Sequence, residues 1–170
     1  YARRKDKSPC EVPTKVDYQL PMGSLPLFFR GTRDAFPRQE RFLIPDPALV
    51  AQWREKFAAL GDGLKVGVSW RAGVKPLERR KRSIPTELWE PIFNKKWAQF
   101  INLQYGDASE DAEEVRDRFG VTLHDWEQGD PLIDIDNFAA KIAALDLVIS
   151  VGNATVHLAG SVGTPAWTLL

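Results

Sequence analysis

The sequence is poor in residues that bind metals or form covalent cross-links. It has one cysteine, Cys10, one methionine and two histidines among 170 residues. A single cysteine forms no internal disulfide, and two histidines far apart in the chain do not complete a structural zinc site, so we expect no bound metal. So little cysteine fits a reducing compartment, and we expect a cytoplasmic protein.

Long apolar runs and the common nucleotide-binding signatures are also missing. The longest apolar run, residues 138–151, contains Lys141 and Asp146, whereas a membrane-spanning helix needs about 20 predominantly apolar residues. We therefore predict no transmembrane segment. The sequence has no GxxxxGK[ST] motif, and it reads WRAG (70–73) where a GxGxxG motif would follow the first apolar strand. This argues against a P-loop nucleoside triphosphatase and an ordinary dinucleotide dehydrogenase.

Apolar residues make up 44% of the sequence and charged residues 27%, a composition that builds a packed core. The net charge is zero, but residues 1–82 contain 18 Lys and Arg against 9 Asp and Glu, and residues 83–170 contain 5 against 14. The strongest basic cluster consists of Lys75, Arg79, Arg80, Lys81 and Arg82. It is either a solvated loop or an anion site. Because no alternation of basic and aromatic residues accompanies it, we expect no nucleic-acid partner.

The pattern along the chain predicts two regions. Residues 1–45 form an irregular, proline-rich arm whose leucines and phenylalanines are too apolar for a free linker. The chain begins with Tyr1 and ends in strand-like sequence at 167–170. We expect it to be a piece of a longer polypeptide, in which the arm is the end of a missing N-terminal domain and the crossing to the second domain.

Residues 46–170 alternate between strand and helix patterns. Asp46-Pro47 is a helix start, and later helices are expected from Ser83 or Thr86, from Ser109, from an Asp136 cap and from Asn153. The intervening apolar runs predict strands at 64–70, 100–104, 121–126, 147–151 and 166–170. This order predicts an α/β fold: a doubly wound, mainly parallel, five-stranded Rossmann-like sheet with helices on both faces.

Ligands of such sheets bind beyond the carboxyl ends of the strands. After the fourth predicted strand the chain enters a helix at Asn153, Ala154 and Thr155, whose free amides and helix dipole would bind a phosphate. The alternative is that Asn153 is a simple helix cap. His157, one turn further on, either touches the phosphate or is structural. Arg71, directly after the first strand, joins the candidate site.

Three segments resemble the C-terminal domain of GT-B glycosyltransferases. They are LKVGVSWRAG (64–73), RSIPTELW (82–89) and LDLVISVGNATVHLAGSVGTPAWTLL (145–170). They are most similar to family 9, the heptosyltransferase type, in the bacterial versions fused to tetratricopeptide repeats, and the resemblance extends over roughly 18–170. It implies the donor-binding half of an enzyme that transfers a sugar from a nucleotide-diphosphate sugar to a glycan or protein acceptor, with no further cofactor.

The resemblance also implies roles for individual residues. The helix start at 153–155 would hold the diphosphate, His157 matches the histidine of the family motif, and Arg82 takes the place of a phosphate-contacting basic residue. Gln104 and Tyr105 would border the base and ribose. No catalytic residue is assigned, because the family's general base and acceptor pocket belong to the N-terminal domain, and this piece alone is expected to be inactive.

One residue departs from the family pattern. Gly152 stands where the family usually has aspartate, which removes a carboxylate from the donor site. This favours an alternative, a non-catalytic binding or scaffold domain that retains the glycosyltransferase fold. A flavodoxin-like regulatory or phosphate-binding domain unrelated to sugars is a third interpretation.

Overall fold

A computed structural model describes residues 17–37, 39–73, 77 and 81–170 of the chain. The chain divides into two compact units, one up to residue 38 and one from residue 39 onward. The described part of the first unit contains one α-helix, α1 (Leu25–Phe29), between two short 3-10 helices at Met22–Ser24 and Arg33–Ala35. Of the basic cluster, Lys75, Arg79 and Arg80 lie outside the described residues.

The second unit is built on a five-stranded sheet in which every neighbouring pair is parallel. Its strands are β1 (Leu64–Ser69), β2 (Ala98–Asn102), β3 (Leu123–His124), β4 (Leu147–Val151) and β5 (Ala166–Leu169), in the order β3-β2-β1-β4-β5. The central strands are buried on both faces, as their continuous apolar sequence requires. The predicted doubly wound parallel sheet is therefore confirmed.

The helices of the second unit cover both faces of the sheet. They are α2 (Pro47–Ala58), α3 (Glu90–Phe93), α4 (Ser109–Phe119), α5 (Ile135–Ala143) and α6 (Ala154–Val162), with 3-10 helices at Thr86–Trp89 and Glu127–Gly129. One core layer joins α2, α5 and α6 to the sheet, and the other joins α3 and α4 to its opposite face. No helix within the described ranges is long and apolar enough to cross a bilayer.

Three local predictions need correction. The second strand was expected at 100–104 but lies at Ala98–Asn102, and the backbone N–H of Gln104 donates to Asn102 Oδ1 instead of to a neighbouring strand. The third strand was expected at 121–126 but has only two residues, Leu123 and His124. Directly after it, the backbone N–H of Trp126 donates to Asp125 Oδ1 at 2.8 Å instead of to a neighbouring strand. The cap of α5 is Asp134 rather than Asp136. One oxygen of Asp134 accepts from the backbone N–H groups of Asp136 and Asn137 at 3.1 and 3.0 Å, so Asp136 already lies in the first turn.

Gly67, in the centre of β1, has no room for a side chain. An added Cβ would lie 2.6 Å from Leu145 Cδ1 and closer still to Leu103 Cδ1. We expect Gly67→Ala to lower the free energy of unfolding by about 1–3 kcal/mol through overpacking. Urea denaturation measures this, with Gly160→Ala in α6 as the control. At position 160 a Cβ meets nothing within 4 Å, and alanine should stabilise the helix by up to about 1 kcal/mol. A neutral Gly67→Ala would show that the core yields without cost.

Candidate functional site

The side chain of Asn153 joins the N-terminus of α6 to the end of β1. Its Oδ1 accepts hydrogen bonds from the backbone N–H of Thr155 and from Ser150 Oγ, both at 3.0 Å. Its Nδ2 donates to Ser69 Oγ at 2.9 Å and to the backbone oxygen of Arg71 at 3.2 Å. With only 9% of the residue exposed, these bonds occupy the amide fully. Asn153 is thus the helix cap, and its side chain serves the framework of the site.

Gln104, just past β2, plays the same part on the other side of β1. Its buried Oε1 accepts from the backbone N–H of Arg71 at 2.8 Å, and from the backbone N–H of Trp70 and from Ser69 Oγ at 3.2 Å each. Its own backbone N–H donates to Asn102 Oδ1 at 2.8 Å. Together with Asn153, it forms a buried polar network that ties the carboxyl ends of β2, β1 and β4 together.

The guanidinium of Arg71 is engaged in an ion pair. Its Nη1 lies 2.9 Å from Asp111 Oδ2 on α4, and its Nη2 donates to the backbone oxygen of Asp107 at 2.6 Å. The carboxylate of Asp107 accepts from the backbone N–H and Oγ of Ser109, and these bonds lower its pKa. Arg71 would have to leave Asp111 to reach a ligand, so its role in binding stays a prediction.

An open groove of about 480 Å³ lies beside the N-terminus of α6. Its walls come from three segments: Tyr105 after β2, residues Pro131, Leu132, Ile135 and Phe138 of the turn before α5 and of α5 itself, and residues Ala154, Thr155, His157, Leu158 and Ser161 of α6. Most of these side chains are apolar or aromatic, and the groove is of the size that holds small ligands. Tyr105 is fixed in this wall by its hydroxyl, which donates to the backbone oxygen of Gly73 at 3.2 Å.

Positive charge meets the groove at one end. Ala154 is the exposed first residue of α6, where backbone N–H groups lack helical acceptors and the helix dipole is positive. Arg82 is exposed, and its Nη2 donates to the backbone oxygen of Gly152 at 2.7 Å. The structure therefore brings Arg82 to the loop between β4 and α6 although 70 residues separate it from Gly152.

The eight predicted site residues divide into two groups. Tyr105, Ala154, Thr155 and His157 line the groove, and Arg82 reaches the loop beside it. Gln104, Asn153 and Arg71 use their side chains in the supporting contacts described above. What sequence reasoning missed is the apolar wall formed by Leu132, Ile135 and Leu158, whose signal was the pair of apolar residues in the acidic segment before α5.

Lys141 is a further residue whose role sequence reasoning missed. It lies on the inner face of α5 with 1% exposure, and its Nζ donates to the backbone oxygen of Asn102 at 3.0 Å. Asp125 Oδ1 is 3.7 Å away, and the rings of Trp53 and Trp126 lie 5.5 and 5.9 Å from the ammonium group. Burial lowers the pKa of Lys141 to about 8, despite the opposing charges of Asp125 and Asp130. Its signal was one charged residue within an apolar helix stripe.

Comparisons with known proteins place this geometry in context. No protein-family model matches the sequence. The chain is 41% identical over 155 residues to Protein FlbA of Caulobacter vibrioides, a match that takes in 91% of this chain and 26% of that protein. A glycosyl transferase of family 9 from Veillonella parvula superimposes with a TM-score of 0.57 at 14% identity, over 74% of this chain and 36% of that one. The E. coli heptosyltransferase WaaC with ADP gives 0.47 at 14% identity, over 79% and 41%.

The chain thus spans about a quarter of FlbA and about a third of the family 9 structure. At 14% identity the likeness to the Veillonella protein concerns the fold. The parallel α/β fold of this chain is one that a family 9 glycosyl transferase shares, as the sequence resemblance implied.

Proposed function

We propose that this chain is the donor-binding part of a glycosyltransferase, which transfers a sugar from a nucleotide-diphosphate sugar to a glycan or protein acceptor. The observation that carries the proposal is an α6 N-terminus that lines an apolar groove and is preceded by a loop to which the Arg82 guanidinium is bonded. Helix amides and a guanidinium suit a diphosphate, and an apolar groove suits a base. The fold shared with a family 9 glycosyl transferase supports it.

The division of chemistry follows from these contacts. The cationic end of the groove would stabilise the negative charge of the departing nucleotide diphosphate without reorganising, since Arg82 and the helix dipole are already in place. The acceptor and its general base would have to come from another part of a longer protein, because transfer requires both reactants to be positioned. By itself this chain would bind the nucleotide without catalysing transfer. In the longer protein, the glycosyltransferase part would be fused to tetratricopeptide repeats.

A charge placed at the mouth of the groove tests the proposal. Isothermal titration calorimetry at low salt would measure the binding of ADP, UDP and GDP to the wild type, Ala154→Asp and Ala154→Asn. An acidic residue in the first turn favours the helix, yet it would repel a diphosphate bound there by about 1–4 kcal/mol. We therefore expect Ala154→Asp to bind the preferred nucleotide at least about tenfold more weakly, and Ala154→Asn to differ little from the wild type.

Arg82→Ala is expected to lower the affinity for the same nucleotide by about tenfold, because a charge-assisted hydrogen bond is lost. Arg116→Ala on α4 is its control, because that exposed arginine pairs only with the neighbouring Asp117 among the described residues. If Arg82→Ala and Arg116→Ala lose nucleotide affinity equally, the loss arises from the change in net charge. This result would contradict a phosphate contact at Arg82.

A non-catalytic binding or scaffold domain is the second candidate, and Gly152 favours it. A Cβ at Gly152 would meet nothing within 4 Å, so packing does not require glycine where the resembling family has aspartate. If a folded sample of the wild type binds none of the three nucleotides, the donor site is refuted and the scaffold interpretation is favoured.

A further inference from the structure

Lys141 has few partners for a buried cation. Within the described residues its ammonium group has one neutral acceptor, the backbone oxygen of Asn102, and one carboxylate, Asp125, at 3.7 Å with 60% of that side chain exposed. Even with the rings of Trp53 and Trp126 5.5 and 5.9 Å away, one distant, largely exposed carboxylate repays little of the desolvation cost, so the buried ammonium costs stability rather than providing it. The residue therefore needs an explanation other than stability, and its contacts supply one.

Both contacts of Lys141 lead to walls of the groove. The backbone oxygen of Asn102 ends β2, and Tyr105, three residues later, forms one wall. Asp125 begins the loop that forms the opposite wall at Pro131 and Leu132. Asn102 Nδ2 also donates to Asp125 Oδ2 at 2.9 Å, so Lys141, Asn102 and Asp125 form a closed ring of contacts that joins the two segments leading to these walls.

The loop is shaped to admit this lysine. A Cβ on Gly129 would lie 2.6 Å from Lys141 Cδ and 3.0 Å from Trp53 Cζ2. Gly129 thus lets the loop pass directly over the side chain. A cavity of about 60 Å³ lies beside Lys141. It is lined by residues of both segments, Gln104 of the first and Pro131 of the second among them. Lys141 is the one cation among the residues that line this cavity in the described part of the chain.

We propose that Lys141 is a positioning residue of the nucleotide groove, whose ammonium group holds the segments 102–106 and 125–132 in register by its contacts with Asn102 and Asp125. One consequence of this inference, a change in nucleotide affinity, rests on the proposed function. Its structural part, the anchoring of two segments, is measured without any ligand.

Hydrogen–deuterium exchange and ADP calorimetry on Lys141→Met test the proposal. We expect exchange in segments 102–106 and 125–132 to accelerate by about tenfold while the central strands stay protected, and ADP affinity to fall by a similar factor. Lys56→Met is the matched control. Lys56 also lies over the Trp53 ring, 4.5 Å from its centroid, and hydrogen-bonds to Gln128 within segment 125–132. No hydrogen bond of the described residues joins it to Asn102, so it is a control for segment 102–106. Unchanged exchange in Lys141→Met, or an equal change of segment 102–106 in Lys56→Met, overturns the proposal.

A pH profile separates positioning from simple packing. Asp125 and Asp130 on the loop and Lys56 on α2 are the charged groups that face Lys141. Asp125 attracts only the ammonium form, so ADP affinity of the wild type should weaken as the pH rises through about 8, while that of Lys141→Met stays flat. Parallel profiles would contradict the proposal.

If Lys141→Met does not fold, Asp125→Asn replaces it as the test, because it removes the charge partner of Lys141 at an exposed position. Asp125→Asn should accelerate exchange in 125–132, and unchanged exchange there overturns the proposal. If the wild type binds no nucleotide, the proposed function fails, and the exchange comparison alone decides whether Lys141 anchors the two segments.

Discussion

Replacing Asn153 with alanine is expected to lower the free energy of unfolding by about 3 kcal/mol. About 1 kcal/mol is the loss of a helix cap. The rest arises because the buried Ser69 Oγ and the partly buried backbone oxygen of Arg71 lose their donor, and an unsatisfied buried group costs about 1–3 kcal/mol. Urea denaturation followed by circular dichroism measures the effect, and an unchanged m-value would show that the denatured state is not altered.

Asp134→Ala is the matched control for this prediction. Asp134 caps α5 from an exposed position, and the hydrogen bonds of its side chain to the described residues stay within that cap. It should cost about 1 kcal/mol, the value of a cap alone. If Asn153→Ala lowers the free energy of unfolding no more than Asp134→Ala does, the hydrogen bonds between Asn153 and β1 contribute nothing to stability. The polar network would then not be what holds the carboxyl ends of the strands together.

The stability of the wild type is expected to rise by about 2 kcal/mol between about pH 7.5 and pH 9.5 relative to Lys141→Met. Burial lowers the pKa of Lys141 from its usual 10.5 to about 8. Between those values the unfolded chain binds the proton and the folded chain does not, so unfolding takes up a proton and becomes less favourable as the pH rises. Each pH unit fully inside the window is worth about 1.4 kcal/mol. Below about pH 8 the whole cost of burying the charge is present.

The comparison with Lys141→Met removes the titration of all other lysines and tyrosines, which both proteins share. Denaturation midpoints in urea at closely spaced pH values give the difference curve. A difference between the two proteins that is flat at every pH would mean that Lys141 keeps its ordinary pKa and that its site is wetter than its burial indicates. A difference that is flat up to about pH 9.5 and then falls as the pH passes the usual 10.5 would mean that Asp125 and Asp130 dominate over burial.

The fold was predictable because its signals are local. The apolar runs of β1 and β4, and the helix from 154 to 162 behind an Asn cap, depend on residues close together in sequence. The α5 cap was misplaced by two residues because Asp134 and Asp136 offer the same chemistry, and only the backbone decides which one precedes the helix.

The roles of the site residues were less predictable, since they depend on distant partners. The sequence predicted a phosphate-binding helix start at Asn153 or, alternatively, a simple helix cap, and its Oδ1 does cap α6. The sequence did not indicate that its Nδ2 donates to Ser69 and Arg71, 84 and 82 positions away. Likewise, Arg71 followed the first strand as expected, but Asp111 on α4 occupies its guanidinium. No local pattern specifies which polar side chain at a sheet edge is consumed by the framework.

The position of β1 at the centre of the sheet has a consequence for folding kinetics. Val66 of β1 pairs with Phe100, 34 positions later, and with Leu147, 81 positions later. The second pairing must close a much longer loop than the first, and contacts of large sequence separation slow folding. As the chain leaves the ribosome, β1 can therefore acquire β2 early, while its other edge stays open until β4 has been synthesised.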